Sequence, residues 1–126
     1  MGFTRYWHRK DVELDESLWR EFIARVNKII DESDVPLADG EGTPGTNPRV
    51  DMKEIWLNGV GPDDDHETFY IPRVLEIEDY EQEIFNRRGY YFAFCKTARK
   101  PYDAIVRKSL LVFKEIFGEQ VDISSD

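Results

Sequence analysis

The sequence predicts an α+β domain in which two helices pack on one face of a mainly antiparallel sheet of about five strands, all within residues 1–126. Two stretches carry apolar residues at the 3.6-residue spacing of a helix, and several short alternating or aromatic runs lie around and between them. Their order is strand, helix, several strands, helix, strand, and a single sheet is the simplest surface that buries both helical stripes. The length of 126 residues, 40% of them hydrophobic, suits one core and is too short for two.

Phe3 to Arg9 alternates and is rich in aromatics, so it reads as the first strand. Asp15 then offers an N-cap, with Leu14 placed to staple onto Trp19. Leu18, Trp19, Phe22, Ile23, Val26, Ile29 and Ile30 form one stripe that must end before Pro36. The Gly and Pro residues of 36–49 predict a flexible loop. Glu54 to Asn58 and Thr68 to Ile71 read as a strand pair joined across Gly59, Gly61 and Pro62. Residues 76–89 are charged and fit neither period, and Tyr90 to Cys95 is an aromatic strand. Pro101 suits the first position of the second helix. Its buried face runs from Tyr102 through Ile105, Val106, Ser109, Leu110 and Phe113 to Phe117, and Gly118 ends it. Val121 and Ile123 predict a short last strand.

The net charge of −9 argues against broad binding to nucleic acid or to an anionic membrane. The longest apolar run, Leu110 to Phe113, is too short to span a bilayer, and the N-terminus lacks the apolar stretch of a signal peptide. Cys95 is the only cysteine, so no internal disulfide forms and no Cys-rich zinc site exists; a cytoplasmic setting is expected. The charge is segregated: residues 86–114 carry eight bases and one acid, whereas 51–85 carry eleven acids and two bases. Internal complementarity between these stretches is the favoured reading, and a local site for an anion is the sharper one.

The segment Cys95-Lys96-Thr97-Ala98-Arg99-Lys100-Pro101-Tyr102-Asp103 places three cations and a hydroxyl just before a helix N-terminus, where free N–H groups favour anions. Arg99 could grip an anion with two donors, and Tyr102 could stack on a base. Against this, Pro101 lacks an N–H, Asp103 can itself satisfy the helix end, and the segment lacks the glycines of a P-loop, so structural capping and anion binding both stay open. Asp63-Asp64-Asp65-His66-Glu67 is dense in oxygen but lacks the glycine and glutamate spacing of a calcium loop, and it reads as a solvated acidic turn. No metal-ligand spacing occurs, and no cofactor is implied. Cys95 beside Lys96 could form a dyad with His66, yet a lone cysteine ending an aromatic strand reads first as a packing residue. The aromatics Tyr6, Trp7, Trp56, Tyr70, Tyr90 and Tyr91 could line a cleft, although most fit the core and its polar edges.

The opening Met1 to Trp7, the string His66-Glu67-Thr68-Phe69, the string Phe94 to Asp103 and the closing Ser124-Ser125-Asp126 resemble a family of small uncharacterised proteins encoded in bacterial and bacteriophage genomes. The likeness spans nearly the whole chain. It implies relatives without supplying an activity, and its phage association is consistent with a role in host–virus conflict.

The expected function is therefore non-catalytic binding of a small anionic ligand, a nucleotide being the leading candidate. Arg5, Lys96, Thr97, Arg99, Lys100 and Tyr102 would bind it, with His66 and Glu67 as polar orienters. One rival is a hydrolase or phosphodiesterase using His66 with Glu67 or Cys95. Another is an acidic protein-interaction module.

Overall fold

The computed structural model describes residues 2–126. In chain order it comprises β1 (Thr4–Arg9), α1 (Glu16–Asp31), β2 (Arg49–Val50), β3 (Glu54–Leu57), α2 (Gly61–Asp64) and β4 (Phe69–Pro72). There follow α3 (Asp79–Arg88), β5 (Tyr91–Lys96), α4 (Asp103–Phe117), a 3-10 turn (Gly118–Gln120) and β6 (Val121–Ser125).

The class is α+β, but the single sheet of about five strands is not what forms. Two antiparallel sheets of three strands occur among the described residues, ordered β5-β1-β6 and β2-β3-β4. The break falls between β4 and β5. These strands meet at one end, where the Glu67 amide donates to the Lys96 carbonyl at 3.3 Å, and no ladder continues beyond that contact.

One apolar cluster nevertheless joins both sheets and both long helices. The Trp7 ring of β1 meets the edge of Phe69 of β4 at 5.5 Å between centroids. α4 lies on β1 and β6, while α1 packs along α4 and reaches β2, so the two helices cover strands of both sheets and not one face of one sheet. Phe22 of α1 stacks on Phe113 of α4 at 4.9 Å, and both rings are fully buried. Full burial of such a side chain contributes about 1.5–3 kcal/mol, so these stripes outweigh the modest intrinsic helix preference of the β-branched residues among them.

The Asp15 carboxylate accepts the Leu18 amide at 3.0 Å and caps α1. Gly118 ends α4 at a positive φ of 59°, which favours glycine. Pro101 is not the first helical residue: it shares with Tyr102 the turn that precedes Asp103. Within the Gly/Pro loop, Ala38 exchanges two main-chain hydrogen bonds with Asn58. The Asn58 side chain is almost wholly buried and satisfied four times over. It donates to the carbonyls of Gly40 and His66 and accepts the amides of Gly59 and His66. Among the described residues no helix is long and apolar enough to cross a membrane.

Candidate functional site

The segment before α4 folds as a tight turn, with the Lys100 amide donating to the Thr97 carbonyl at 3.0 Å. Ala98 and Arg99 make this turn with φ of 52° and 58°, a left-handed conformation that side chains rarely adopt. The start of the helix is taken by the chain's own groups. Arg5 Nε and Nη2 donate to the two Asp103 oxygens at 3.0 and 2.9 Å, and the Thr97 hydroxyl donates to Asp103 Oδ1 at 2.6 Å. Burial alone would raise the Asp103 carboxyl, but the hydrogen bonds from Arg5 and Thr97 outweigh it and hold the group below the usual carboxylate range. No side chain caps α4: the amides of Asp103, Ala104 and Ile105 bond the carbonyls of Lys100, Pro101 and Tyr102, so these contacts make the turn an internal ion pair on a self-satisfied helix start.

The other expected binding residues cluster around the same turn. The Tyr102 ring is buried and its hydroxyl donates to the Glu67 carbonyl at 2.7 Å. Lys100 Nζ donates to the Asp63 carbonyl at 2.8 Å, so the acidic turn is held there through its main chain. Glu67 Oε1 accepts the Lys96 amide at 2.8 Å. The Arg99 guanidinium lies 4.1 Å from the centroid of the Phe3 ring, and His66 is exposed. Arg5, Thr97 and Asp103 thus come together, as do Glu67, Lys96 and Tyr102.

Cys95 is fully buried, within reach of the Glu67 carbonyl at 3.4 Å and the Tyr102 hydroxyl at 3.9 Å. Burial pushes its thiol up to about 12, which removes the thiolate that a nucleophile needs. His66 approaches Asn58 through its main chain, and no hydrogen bond joins it to Cys95. No cluster of three metal-ligating side chains occurs among the described residues.

A cleft of about 430 Å³ opens elsewhere, between β4 and β5. Tyr70, Tyr91, Phe92 and Phe94 wall it, and the buried Trp7 and Arg9 lie at its base. Arg9 is 2% exposed, and all four of its hydrogen bonds go to main-chain carbonyls. Nε reaches Asp11, Nη2 reaches Val12 and Arg73, and Nη1 reaches Pro72. Burial lowers the guanidinium to about 10, and the nearby Asp11 offsets only part of the lost hydration, while Glu76 stands elsewhere in the cleft lining.

Both strands turn unpaired edges into this cleft. Main-chain groups alternate in direction along a strand. The Thr4 carbonyl accepts from Asp126 on the β6 side, and the Phe3 carbonyl accepts from Ala98 on the β5 side. Arg5, Trp7 and Arg9 therefore bond toward β5, where their register partners are Cys95, Ala93 and Tyr91. The amides and carbonyls of Phe92, Phe94 and Lys96 point away from β1. Those of Lys96 are taken by Glu67, whereas those of Phe92 and Phe94 have no partner among the described residues. On β4, the Arg73 amide bonds Lys53, so Phe69 and Ile71 face β3 and Tyr70 turns its main chain to the open side.

The cations flanking β5 are also free of acid partners. Among the described residues Arg87, Arg88, Lys96, Arg99 and Lys100 make no ion pair, while Lys114 pairs with Asp122 at 3.3 Å. The expected internal complementarity is thus only spatial: the acidic turn at 63–67 lies beside the basic turn at 96–100, joined through main-chain groups and not through paired charges. Sequence reasoning missed Arg9 as a site residue, although Arg9 shares the inward parity of β1 with Trp7. No family model, curated protein or solved structure matches this chain, so its site rests on its own geometry.

Proposed function

We propose that this protein is a non-catalytic binding module for an anionic ligand, received in the cleft between β4 and β5. The observation that carries the reading is the Arg9 guanidinium, buried at the base of an aromatic-walled cleft with only carbonyls as partners. A cation in a poorly hydrated site lacks full compensation, and an entering anion supplies it. Tyr70, Phe92 and Phe94 are 46%, 46% and 54% exposed, and their rings offer faces on which a nucleotide base would stack. Lys96 and Arg99, exposed and unpaired beyond the closed end of the cleft, add a favourable long-range field. The hydrolase reading has less support, because Cys95 is enclosed as a neutral thiol and His66 stands apart from it. The resemblance to phage-encoded proteins makes host–virus conflict the setting in which to look for the ligand.

The test is a thermal-shift screen of nucleotides and cyclic dinucleotides, followed by calorimetry on each hit. A nucleotide seated here should bind without being consumed. Tyr70→Ala should weaken it about tenfold, the loss of roughly one stacked base, and Lys108→Ala on the exposed side of α4 should leave it unchanged. Turnover of the hit on incubation would install the enzyme reading instead.

A further inference from the structure

The cleft is bounded by main-chain groups as well as by rings, and that bears on what kind of anion it takes. An exposed strand edge is a template for another strand, and proteins ordinarily blunt it with proline, charge, a bulge or a cover. β5 is blunted only at Lys96, where Glu67 occupies both main-chain groups. From Tyr91 to Phe94 it carries neither proline nor charge, and two amides and two carbonyls face outward without partners. Cations stand at both ends of this open stretch, Arg87 and Arg88 before it and Lys96 and Arg99 after it. All four are exposed and free of ion pairs among the described residues.

We infer that the open edge of β5 receives an acidic peptide segment as an added strand, with the amides and carbonyls of Phe92 and Phe94 supplying the hydrogen bonds. This inference rests on the anionic-ligand reading above and names the chemistry that carries the charge. Main-chain pairing gives such a segment its grip, and its alternate side chains enter the cleft or lie over Phe92 and Phe94. The charges select the occupant. A second copy pairing antiparallel through β5 would set Lys96 and Arg99 of one copy against Arg87 and Arg88 of the other, which is repulsive at both ends. An acidic segment meets cations at both ends, and uncharged residues at its centre keep its acids away from Glu76, which lines the cleft. β5 itself, Tyr91–Lys96, spans about 16–17 Å at the rise of a strand, so an eight-residue peptide reaches past it toward the cations at both ends.

The experiment uses three synthetic peptides with the intact protein. The first is Asp-Glu-Val-Thr-Val-Thr-Glu-Asp, the second replaces its four acids by lysine, and the third is the acidic peptide N-methylated at alternate residues to block pairing. Calorimetry should give an affinity for the acidic peptide at least tenfold above that for the lysine peptide. N-methylation on the pairing edge should abolish binding, and the complex should weaken with added salt. Hydrogen exchange followed by NMR should show the Phe92 and Phe94 amides becoming protected in the complex. Phe94→Pro removes an outward donor and should lose binding, whereas Phe94→Ala loses the ring but keeps that donor, so it should bind more weakly than the parent and still show protection of its own amide. Equal binding of the acidic and lysine peptides, binding indifferent to N-methylation, or unprotected Phe92 and Phe94 amides in the complex would overturn the inference. So would concentration-dependent protection without peptide, which would identify a second copy as the occupant. A nucleotide that binds where no peptide does leaves the anionic-ligand reading standing and removes this one; binding of neither removes both.

Discussion

Glu67 holds Lys96 at both main-chain groups: its carboxylate accepts the Lys96 amide at 2.8 Å, and its own amide donates to the Lys96 carbonyl at 3.3 Å. This pair is the main-chain contact that closes one end between β4 and β5, and beyond it the two strands diverge. Glu67→Ala removes one charge-assisted bond at an exposed position, so the expected loss of stability is small, under about 1 kcal/mol. Its sharper effect is local. Amide exchange at Lys96 should accelerate while exchange in the core of α4 stays slow; unchanged exchange at Lys96 would mean that the carboxylate contact does not hold the closed end of the cleft.

The opposite end is fastened by Arg9, whose donors reach the carbonyls of Pro72 and Arg73 from β1. Arg9→Met keeps much of the apolar stem and removes every donor, leaving the carbonyls of Asp11 and Pro72 without a partner, while those of Val12 and Arg73 keep the amides of Leu75 and Leu14. Burial of unpaired polar groups costs about 1–3 kcal/mol for each group that water cannot reach, so a loss of about 3 kcal/mol or more is expected. Chemical denaturation of the variant measures it. A loss below about 1 kcal/mol would show that water replaces the guanidinium and that the cleft base is wet.

Asp103 gives the fold a dependence on acid. Its carboxyl, held low by Arg5 and Thr97, titrates in the folded state below the value of about 3.9 expected for an unfolded chain. The unfolded state therefore binds the proton more readily. The stabilisation is present above that unfolded value and is lost as pH falls through the folded one. Asp103→Asn should abolish this component, so the fall in stability below about pH 4 should be shallower in the variant than in the parent. Parallel slopes would show that other carboxylates carry the acid sensitivity.

The long helices, five strands and both helix ends at Asp15 and Gly118 were legible because each rests on local chemistry: an apolar period, a cap, a glycine free to take a positive φ. α3 was not. It buries no side chain, and it is stabilised at its ends, where the Glu81 carboxylate accepts the Glu78 amide at 3.3 Å and Gly89 adopts φ of 79°. A helix without a buried stripe leaves little period to read. The division into two sheets was equally hidden, because strand partners are settled by non-local contacts such as Arg9 to Pro72. At the site, the sequence located the dense polar cluster around Asp103 and took its charge as intended for a ligand. Whether Arg5 is held by Asp103 or left free for an outside anion is decided by the pairing of β1 with β5, and no spacing in the sequence encodes it. Trp7, Tyr70 and Tyr91, three of the aromatics read as possible cleft walls, do line the cleft, while Arg9 was passed over although it sits at an inward strand position.

Cys95 should behave as a packing residue. Its thiol, raised to about 12 by burial, stays neutral at the pH where exposed thiols react. Labelling of the native protein by a maleimide or disulfide reagent at pH 8 should be slow and should track global unfolding as denaturant is added. The folded thiol ionises later than the unfolded one, so above about pH 8.5 the unfolded state loses its proton first and stability falls as pH rises. Cys95→Ala should flatten that decline. Rapid labelling without denaturant would show that the site opens locally and would return Cys95 to the list of reactive groups.

Ser109 supplies the last test, on the inner face of α4. Its hydroxyl is fully buried and is the one buried side-chain polar atom without a hydrogen-bond partner among the described residues. Leaving such a group dry costs about 1–3 kcal/mol, and removing it leaves behind only a volume close to that of one oxygen atom. Alanine also has the higher helix propensity, by a few tenths of a kcal/mol. Both effects act in the same direction, so Ser109→Ala should stabilise the protein by about 1 kcal/mol and raise Tm by about 3–5 °C for a chain of this size. Since Ser109 lies on α4, away from the β4–β5 cleft, the stabilised variant should bind any ligand of that cleft as the parent does. A destabilised variant would mean that a buried water satisfies the hydroxyl, and an ordered water at Ser109 Oγ in a crystal structure would confirm that account.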